Sequence, residues 1–540
     1  MTAPSPPTAK PVTWIKSSRT MTDKTSDQST QVLIAGAGPV GLSLAVDLGI
    51  RGIDCVVVEK RDGVIAVPKM SQVSARNMEF CRRWGIADQV RTAVWPTTHP
   101  LDFVYVTSLQ GRELSRLKIP SRAEGDRNQI TAQATSHCPQ TYFDPIIVAR
   151  AKSLPGVALR YNTGLESFTQ DGDAVTARLS DTLSGAETMM TADYLVGCDG
   201  PGGVVRAGLG IELDGLGAYA NSINIFFKSP ELSALNHIGW ARFYRMIDDQ
   251  GCWGELMPID GVALWRLTVF HDDNPDADPD AYLRKAAGTK FPYELISVLP
   301  WERSDFVAQH YGDGRVFIAG DAAHQCSPTG GMGMHTGIGE AVNLSWKLAA
   351  MLDGWGGDGL LGSYEPECQP IAARNVGFAT SAYRAITSLP NVEAITGFLP
   401  ASNLDATPAE ALRLQILTVN EFTKTQYTYE NSPVCVPDGT PPPADDPLDF
   451  TPSARPGTRA PHGWLSEGRS ILDLFGDGFT LLRFGSAPVD AVKLIDAALS
   501  RGVPLQIHDI DNATLADIYL NRLVLVRPDG HVAWRGDTPP

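Results

Sequence analysis

The sequence predicts an α/β protein with a Rossmann-like nucleotide-binding domain, an inserted antiparallel sheet and a small C-terminal domain. Three observations support this fold class. An apolar strand runs into a glycine-rich turn at 31–41, alternating aromatic-rich segments occupy 211–306, and a short strand, helix and hairpin order follows a proline-rich stretch. At 540 residues, the chain is long enough for two or three structural units.

Composition excludes several classes of function. The net charge of -16 argues against nucleic-acid or anionic-membrane binding, because both partners prefer a basic surface. The 8 cysteines never approach a CxxC spacing, which argues against zinc sites and redox pairs. We expect free thiols in a cytoplasmic protein without a metal site. No uninterrupted apolar run of about 18 residues occurs, so no membrane span is expected.

The first 30 residues, 1–30, are predicted to form a disordered tail. They are rich in Pro, Ser, Thr and Lys and lack the apolar core of a signal peptide. Met21 begins a more compact lead into the first strand than Met1 does. We therefore expect that Met21 is the true start or that residues 1–20 are dispensable, with Met1 as the alternative start.

The segment QVLIAGAGPVG at 31–41 predicts a cradle for a dinucleotide pyrophosphate. Gly36 permits the tight turn, Gly38 lets the backbone approach the phosphates, and Gly41 lets the helix pack on its strand. The helix directs its positive N-terminal end towards the anion. A glycine triplet alone is weak evidence, since a glycine-rich turn can serve packing only.

A second apolar strand at 54–58 strengthens the prediction. It leads into Glu59, where a carboxylate accepts hydrogen bonds from the hydroxyls of an adenosine ribose. Strand, helix and acid together predict an ADP-containing cofactor. An NAD-dependent dehydrogenase is an alternative on these segments alone, and the later segments decide against it.

Two later segments predict a return to the nucleotide domain. They are YLVGCDGPGGVVR at 194–206 and RVFIAGDAAHQCSPTGGMGM at 315–334, and each joins a buried strand to a glycine and an aspartate. We therefore assign 31–210 and 307–432 to this domain and its helical region. The segment 211–306 is assigned to the antiparallel sheet that covers the substrate.

The C-terminal part is predicted to be a separate small domain. The proline-rich stretch PPPADDP lies in a predicted linker at 433–469, and the domain follows at 470–540. Its predicted elements are a strand region at 470–485, a helix at 489–499 and a hairpin at 521–534 that turns at Asp529-Gly530. This order resembles a thioredoxin-like fold. It contains no cysteine, which favours docking or oligomerisation over thiol chemistry.

The motifs GAGPVG, DGPGGVVR and GDAAHQCSPTGG together resemble the class A flavin-dependent aromatic hydroxylases, typified by para-hydroxybenzoate hydroxylase. The resemblance covers roughly residues 30 to 390. The segments PGTRAPHGWL and LVRPDGHVAWR are similar to the longer phenol hydroxylase branch, which carries a redox-silent thioredoxin-like domain. The resemblance implies FAD as the cofactor.

The resemblance also implies which residues hold FAD. Gln140 would reach the ribityl and phosphate region, and Asp321 would accept a ribityl hydroxyl. Pro328 would line the substrate face of the isoalloxazine, while the first turn at 333–335 would stabilise negative charge at the pyrimidine edge. The implied cofactor-binding residues are Gly36, Ala37, Gly38, Pro39, Val40, Gly41, Glu59, Lys60, Gln140, Asp199, Asp321, Pro328, Gly333, Met334 and His335.

Four positions depart from the family pattern. Lys69 stands for an arginine, Gly203 for a serine, His335 for an asparagine, and Glu367-Cys368 for a Glu-Arg pair. None removes an anchoring glycine or acid. The departures bear on flavin movement and on the contact with NAD(P)H.

The resemblance implies that NAD(P)H, as NADH or NADPH, reduces FAD, and that a flavin C4a-hydroperoxide then hydroxylates a small substituted phenol with O2. A single dinucleotide cradle agrees with transient binding of the nicotinamide. A hydroxylase of polycyclic aromatic polyketides is the alternative within enzymes. A flavin-holding interaction protein is the alternative outside them. We expect a homo-oligomer, namely a dimer.

Candidates for substrate contact lie in a predicted strand at 239–246. Alternation places Trp240, Arg242 and Tyr244 on one face, where Arg242 and Tyr244 would hold or polarise a phenolic oxygen. Packing or surface roles are equally open for both. His335 is a third candidate beside the ring, whereas His324 is assigned a structural role in the loop next to the flavin.

Overall fold

A computed structural model describes residues 28–119, 121–124, 130–272, 274, 278–388, 428–442 and 451–539. The question of Met1 or Met21, and nearly all of the predicted tail, lie outside these residues. The first strand begins at Ser29, so the last residues assigned to the tail belong to the folded domain. Within the described ranges, no helix is both long and apolar enough to cross a membrane.

Short strands alternate with helices along the nucleotide domain, and longer strands dominate the middle of the chain. The strands in chain order are β1 (Ser29–Ala35), β2 (Cys55–Glu59), β3 (Gln72–Val73), β4 (Phe103–Val106), β5 (Glu113–Leu117), β6 (Ser136–His137), β7 (Val157–Tyr161), β8 (Thr163–Gln170), β9 (Val175–Asp181), β10 (Glu187–Gly197), β11 (Leu213–Lys228), β12 (Phe243–Asp248), β13 (Gly251–Pro258), β14 (Leu264–Phe270), β15 (Glu294–Ala308), β16 (Gly312–Asp313), β17 (Val316–Ile318), β18 (His324–Gln325), β19 (Trp464–Ser466), β20 (Arg469–Ser470), β21 (Phe479–Phe484), β22 (Leu505–Ile510), β23 (Leu523–Val526) and β24 (Val532–Gly536).

The helices follow the predicted order, with boundaries shifted by a few residues. They are α1 (Pro39–Ile50), α2 (Ala75–Arg83), α3 (Ala87–Arg91), α4 (Gln140–Lys152), α5 (Val204–Gly208), α6 (Glu231–Leu235), α7 (Pro279–Ala287), α8 (Gly333–Leu352), α9 (Tyr364–Thr387), α10 (Val492–Ser500) and α11 (Ala513–Tyr519). Pro39 occupies the first turn of α1, where its missing N–H costs no hydrogen bond.

The nucleotide domain is built on a sheet of order β16-β17-β10-β1-β2-β7, with β8 and β9 beside it. β1 pairs in parallel with β2 and β10, and β10 pairs in parallel with β17. These strands are continuous apolar runs whose side chains are buried, as expected of parallel strands in the interior of an α/β sheet. Their carboxyl ends meet at one edge, where an α/β sheet binds its ligand.

The middle of the chain forms a second sheet of order β18-β15-β11-β14-β13-β12-β4-β5, which we call the substrate sheet after its predicted role. The antiparallel prediction for 211–306 is therefore confirmed, but the predicted bounds are too narrow. β4 and β5 join the sheet through the parallel pairing of β4 with β12, which no local pattern reveals. The strand predicted at 239–246 begins at Phe243, because the chain before it is held in a loop.

The C-terminal unit has a sheet of order β22-β21-β23-β24. β21 and β22 are parallel, whereas β23 is antiparallel to both β21 and β24. With α10 between the parallel strands, this is the arrangement of a thioredoxin-like fold, and the predicted hairpin turns at Gly530 with φ 84°. The unit extends before residue 470, into the predicted linker, since Ala454 and Ala460 are buried in its core.

Buried ion pairs join this unit to the nucleotide domain. Arg527 donates to both oxygens of Glu367 at 2.7 and 2.9 Å and to Asp529 at 2.7 Å, and Lys347 donates to Glu367 at 2.7 Å. Glu367, which keeps the first residue of the family's Glu-Arg pair, thus lies in the docking surface, whereas Cys368, the residue that departs from the pair, is buried in the core of the nucleotide domain. We call these contacts, with the ion pair of Arg459 and Glu79 and the pair of Arg82 and Asp473, the interdomain seam.

Candidate functional site

The glycine-rich turn connects β1 to α1 in the conformation that its sequence predicts. Gly36 has φ 103°, and a Cβ there would lie 2.3 Å from the Cys198 carbonyl oxygen. A Cβ at Gly41 would lie 2.0 Å from the Gly36 oxygen, so both positions require glycine. A Cβ at Gly38 would meet no described atom within 4 Å, so the cradle is open on that side.

Glu59 follows β2 and lies beside this cradle. Its Oε2 accepts a hydrogen bond from the Ala37 N–H at 3.0 Å, and its Oε1 accepts one from the Arg61 N–H at 3.0 Å. One carboxylate therefore ties the second strand to the glycine turn. The exposed Lys60 comes next and accepts a hydrogen bond from Thr182 through its backbone oxygen.

Asp199 follows β10 on the other side of the cradle. Its Oδ2 accepts a hydrogen bond from the Val205 N–H at 3.2 Å, at the start of α5. Burial raises the pKa of this carboxyl group. A Cβ at Gly203 would lie 2.1 Å from Asp199 Oδ1, which explains glycine at the position where the family has serine.

In the segment 315–334, His324 is buried and Asp321 is exposed. Glu340 of α8 accepts a hydrogen bond from the Gly320 N–H at 2.8 Å and contacts His324 Nε2 at 3.2 Å. Burial alone would lower the pKa of His324, but Glu340 raises it. This buried pair fixes the loop, whereas Asp321 and Pro328 are exposed on its outer side.

The first turn of α8 faces the same edge of the sheet. The helix begins at Gly333, and no described side chain caps its N-terminus. The His335 ring is buried and directed at β3, where its Nε2 lies 3.0 Å from the Ser74 nitrogen and 3.1 Å from the Gln72 oxygen. His335 therefore fixes β3 through its side chain.

Gln140 begins α4 and connects this helix to the loop after β2. Its Oε1 accepts a hydrogen bond from the Lys69 N–H at 3.1 Å, and its Nε2 donates to Asp144 Oδ2 at 3.1 Å. Burial raises the pKa of Asp144 to about 7. The position that departs from the family pattern, Lys69, is thus held through its backbone.

The two candidates on the substrate sheet differ in their contacts. Arg242 Nη2 donates to Gln72 Oε1 at 2.9 Å, so Gln72 lies between Arg242 and His335. Sequence reasoning missed Gln72, since a single polar residue in a short strand carries no motif. Tyr244 lies in the core, and its hydroxyl donates to the Gly239 oxygen and accepts from Asn236, both at 2.7 Å.

Arg303 of β15 is a second residue that the sequence reasoning missed. It is 2% exposed, and its Nη1 donates to the hydroxyls of Ser327 and Thr329 at 3.1 and 3.4 Å. These two residues flank Pro328. The only sequence signal is an arginine on an alternating strand, which ordinarily indicates an exposed face.

The substrate sheet and the third nucleotide segment are physically continuous. β18, which lies directly after the GDAA turn, pairs with β15 through Gln325 opposite Phe306 and His324 opposite Val307. A ligand held at the cradle edge therefore lies beside the end of the substrate sheet.

The groups at this edge have the chemistry that FAD requires. The open cradle at Gly38 and the start of α8 offer backbone N–H groups, which bind phosphates and negatively charged rings. Glu59 and the exposed Asp321 offer carboxylates for sugar hydroxyls. No cluster of three metal-ligating side chains occurs among the described residues.

Comparisons with known proteins cover nearly the whole chain. Residues 29–379 match the FAD binding domain family, and 453–540 match the C-terminal domain family of aromatic-ring hydroxylases. A Streptomyces halstedii protein named as a polyketide hydroxylase is 33% identical over 544 residues, covering 94% of this chain and 93% of the relative.

Two further likenesses have the same extent. The 2,4-dichlorophenol 6-monooxygenase of Cupriavidus pinatubonensis is 28% identical and covers 95% of this chain and 94% of the relative. The solved structure of the rebeccamycin biosynthetic enzyme RebC with reduced flavin has a TM-score of 0.84 and 38% identity, covering 95% of this chain and 97% of that chain.

Proposed function

Because the chain belongs to the family of FAD-dependent aromatic-ring hydroxylases, we propose that it hydroxylates an aromatic ring with O2 and NAD(P)H. The continuity of β18 with β15 carries this proposal. This pairing supports a substrate on the sheet lying next to the loop that would face the flavin. The alternatives, a dehydrogenase or a protein that only holds flavin, have no use for this arrangement.

The residues of the chain are proposed to bind and orient the reactants. Gly36, Gly38 and Gly41 would hold the pyrophosphate, Glu59 the adenosine ribose and Asp321 a ribityl hydroxyl. When bound, FAD supplies the redox and oxygen chemistry that side chains lack. The protein would have to exclude water from the reacting ring.

Other groups at this edge would fix the geometry of the flavin. Gln140 would contact the ribityl and phosphate region, and Asp199 would hold the turn beside the cradle. The backbone N–H groups of 333–335 would stabilise negative charge on the reduced ring, and Pro328 would line its substrate face. NADH and NADPH stay equal candidates as the electron donor.

We propose a polycyclic aromatic polyketide as the substrate class ahead of a small substituted phenol. The relative named as a polyketide hydroxylase is 33% identical, whereas the dichlorophenol monooxygenase is 28% identical, at similar coverage. A small phenol is retained as the second candidate on the strength of the latter. A homodimer remains a prediction that a sedimentation measurement would test.

A substrate panel tests the proposal. The purified, FAD-loaded protein is incubated with NADH or NADPH and either fused-ring hydroxyquinones or substituted phenols under 18O2. We expect substrate-stimulated NAD(P)H oxidation and a product that gains one labelled oxygen atom. Oxidation that yields only hydrogen peroxide with every compound would instead support the flavin-holding interaction protein.

A further inference from the structure

The C-terminal unit lies against helices that begin at the proposed cofactor edge. α1 begins directly after the glycine-rich turn, and α8 begins at Gly333. α2 begins after Ser74, whose N–H donates to His335 Nε2 at 3.0 Å. Each of these three helices also contacts the C-terminal unit. This one unit can therefore influence three helix starts at once.

Two of these helices are held in their C-terminal halves. Arg51, at the end of α1, donates to the Gly476 backbone oxygen at 2.6 Å. In α8, the ring centre of Trp346 lies 5.3 Å from the Arg527 guanidinium carbon, and Lys347 shares a carboxylate partner with Arg527. Since an α-helix rises about 1.5 Å per residue, these contacts lie about 20 Å from the helix starts. They restrict the tilt of each helix.

The third helix, α2, is held much nearer to its start. Arg76, in the first turn, donates to the Asp529 backbone oxygen at 2.9 Å. Further along the helix, Glu79 accepts two hydrogen bonds from Arg459, one from Nε at 2.9 Å and one from Nη2. The side chains of Arg76, Glu79 and Arg459 are all buried. A two-point arginine–carboxylate contact fixes orientation as well as distance, so Arg459 restrains the position of α2.

The start of α2 is connected to both proposed reactant sites. Glu79 lies about 8 Å along the helix from Ser74. Ser74 donates to His335, which belongs to the first turn of α8. Gln72, just before Ser74, accepts a hydrogen bond from Arg242 at 2.9 Å beside the substrate sheet. A displacement of α2 would therefore be felt at the first turn of α8.

We propose that the C-terminal unit positions the flavin, with the pair of Arg459 and Glu79 as its main contact. Both are positioning residues, because they act through α2 on the turn at 333–335. In the proposed function, the N–H groups of that turn stabilise negative charge on the reduced ring. This inference rests on the proposed function, and it assigns a role to a unit that contains no cysteine.

The midpoint potential of bound FAD distinguishes this role from adhesion alone. Adhesion predicts an unaltered potential in any seam variant that still folds and binds FAD. If α2 positions the turn at 333–335, Arg459→Met should lower the ratio of affinities for reduced and oxidised FAD about 10-fold. For a two-electron couple this is a shift of about 30 mV towards more negative potential. Anaerobic equilibration of the FAD-loaded protein with a redox dye measures it.

A double-mutant cycle identifies the pair as the origin of the shift. Glu79→Gln should shift the potential in the same direction as Arg459→Met. The double variant should shift it no further than the larger single change, because both changes remove one contact. Arg459→Lys keeps the charge without the two-point contact and should give a smaller shift.

Arg82→Met is the matched control. Arg82 lies on the same helix and in the same seam, but its pair with Asp473 is partly exposed, so the potential should stay unchanged. Thermal unfolding and flavin content show which variants are folded and loaded. An unaltered potential in Arg459→Met would overturn the proposal, as would an equal shift in Arg82→Met. If Arg459→Met does not fold, unaltered potentials in Arg459→Lys and Glu79→Gln overturn it instead.

The two proposals fail separately. If no compound is hydroxylated although FAD is bound, the proposed function falls, while a shifted potential in Arg459→Met still stands. If hydroxylation occurs and every variant has the same potential, only the role of the C-terminal unit falls.

Discussion

The interdomain seam and the substrate sheet, whose buried Arg303 side we call the wall, each contain a buried arginine. The two arginines differ in the groups that surround their charge. At the seam, Arg527 contacts two carboxylates, Glu367 and Asp529, and Lys347 shares the first of them. At the wall, Arg303 contacts hydroxyls and aromatic rings. Carboxylates compensate the charge at the seam, whereas neutral groups surround it at the wall.

The difference lies in what compensates the free-energy cost of burying each arginine. Desolvation of an ion costs several kcal/mol, and a carboxylate partner recovers most of that cost within the protein. A seam of satisfied pairs therefore holds two units in one geometry. Arg303 is held instead by hydroxyl groups and aromatic rings, without an ion pair to a described carboxylate.

The largest expected effect is on stability at the seam. Arg527→Met leaves Glu367 and Asp529 buried with fewer partners, so we expect the free energy of unfolding to fall by about 3–5 kcal/mol. Arg303→Met removes a charge that has no acidic partner and should change it by less than about 1 kcal/mol. Urea unfolding followed by tryptophan fluorescence measures both variants.

A matched change within the seam sharpens this result. Arg82 pairs with Asp473 at 2.7 Å, but both side chains are more than a quarter exposed. Arg82→Met should therefore cost about 1 kcal/mol or less. Equal losses in Arg82→Met, Arg303→Met and Arg527→Met would show that the seam and the wall do not differ.

We expect acid to destabilise the interdomain seam, because protonation of its buried carboxylates removes their ion pairs. Burial would raise the pKa of Glu79 and of Glu367, but Arg459 and Arg527 respectively lower each from 4.5 to about 2. The stabilisation is thus complete above about pH 4.5 and is lost as the pH falls towards 2. We expect each carboxylate to contribute about 2–3 kcal/mol to this loss.

Unfolding curves between pH 6 and pH 3 measure this dependence. Glu79→Gln removes one of the carboxylates with a lowered pKa and should make the curve less steep over the same range. Arg303 does not titrate in this window, so Arg303→Met should follow the same curve as the unaltered protein. A curve that Glu79→Gln leaves unchanged would contradict the assignment to the seam.

The Glu59 carboxylate differs from both arginines, because backbone N–H groups stabilise its charge. The bonds from Ala37 and Arg61 leave lone pairs for a ribose. Glu59→Gln should lower FAD affinity by about 10- to 100-fold, because charged acceptors make the stronger hydrogen bonds. Quenching of flavin fluorescence measures the Kd. Glu187→Gln, an exposed control, should leave it unchanged, and a normal Kd in Glu59→Gln would remove Glu59 from the site.

Local patterns predicted the features that depend on neighbouring residues. The turn at 36–41, Glu59 after its strand and the hairpin at Gly530 each follow from residues close in sequence. The thioredoxin-like order was predictable for the same reason. Helix ends shifted by a few residues, as with α10, which spans Val492–Ser500 in place of the predicted 489–499.

Features that depend on distant pairing were not predictable. β4 joins the substrate sheet beside β12, which lies far along the chain. Arg527 meets Glu367 across 160 positions, and nothing near either residue indicates the partner. The burial of Arg303 was unpredictable for the same reason, because it depends on strands and loops that are distant in the sequence. Charge on a strand indicates solvent until the packing partner is known.

The smallest expected effects come from two buried tyrosines whose hydroxyls have different surroundings. The Tyr244 hydroxyl has three hydrogen-bond partners, including the Ala241 N–H at 2.9 Å, whereas the Tyr383 hydroxyl interacts with Arg303 and Ser222. Tyr244→Phe should therefore cost about 1–2 kcal/mol of unfolding free energy and leave the KM for the aromatic substrate unchanged. Tyr383→Phe should cost less stability, because Arg303 keeps its bonds to the other hydroxyls. A larger loss of stability in Tyr383→Phe would contradict this order, and a raised KM in Tyr244→Phe would return Tyr244 to the substrate site.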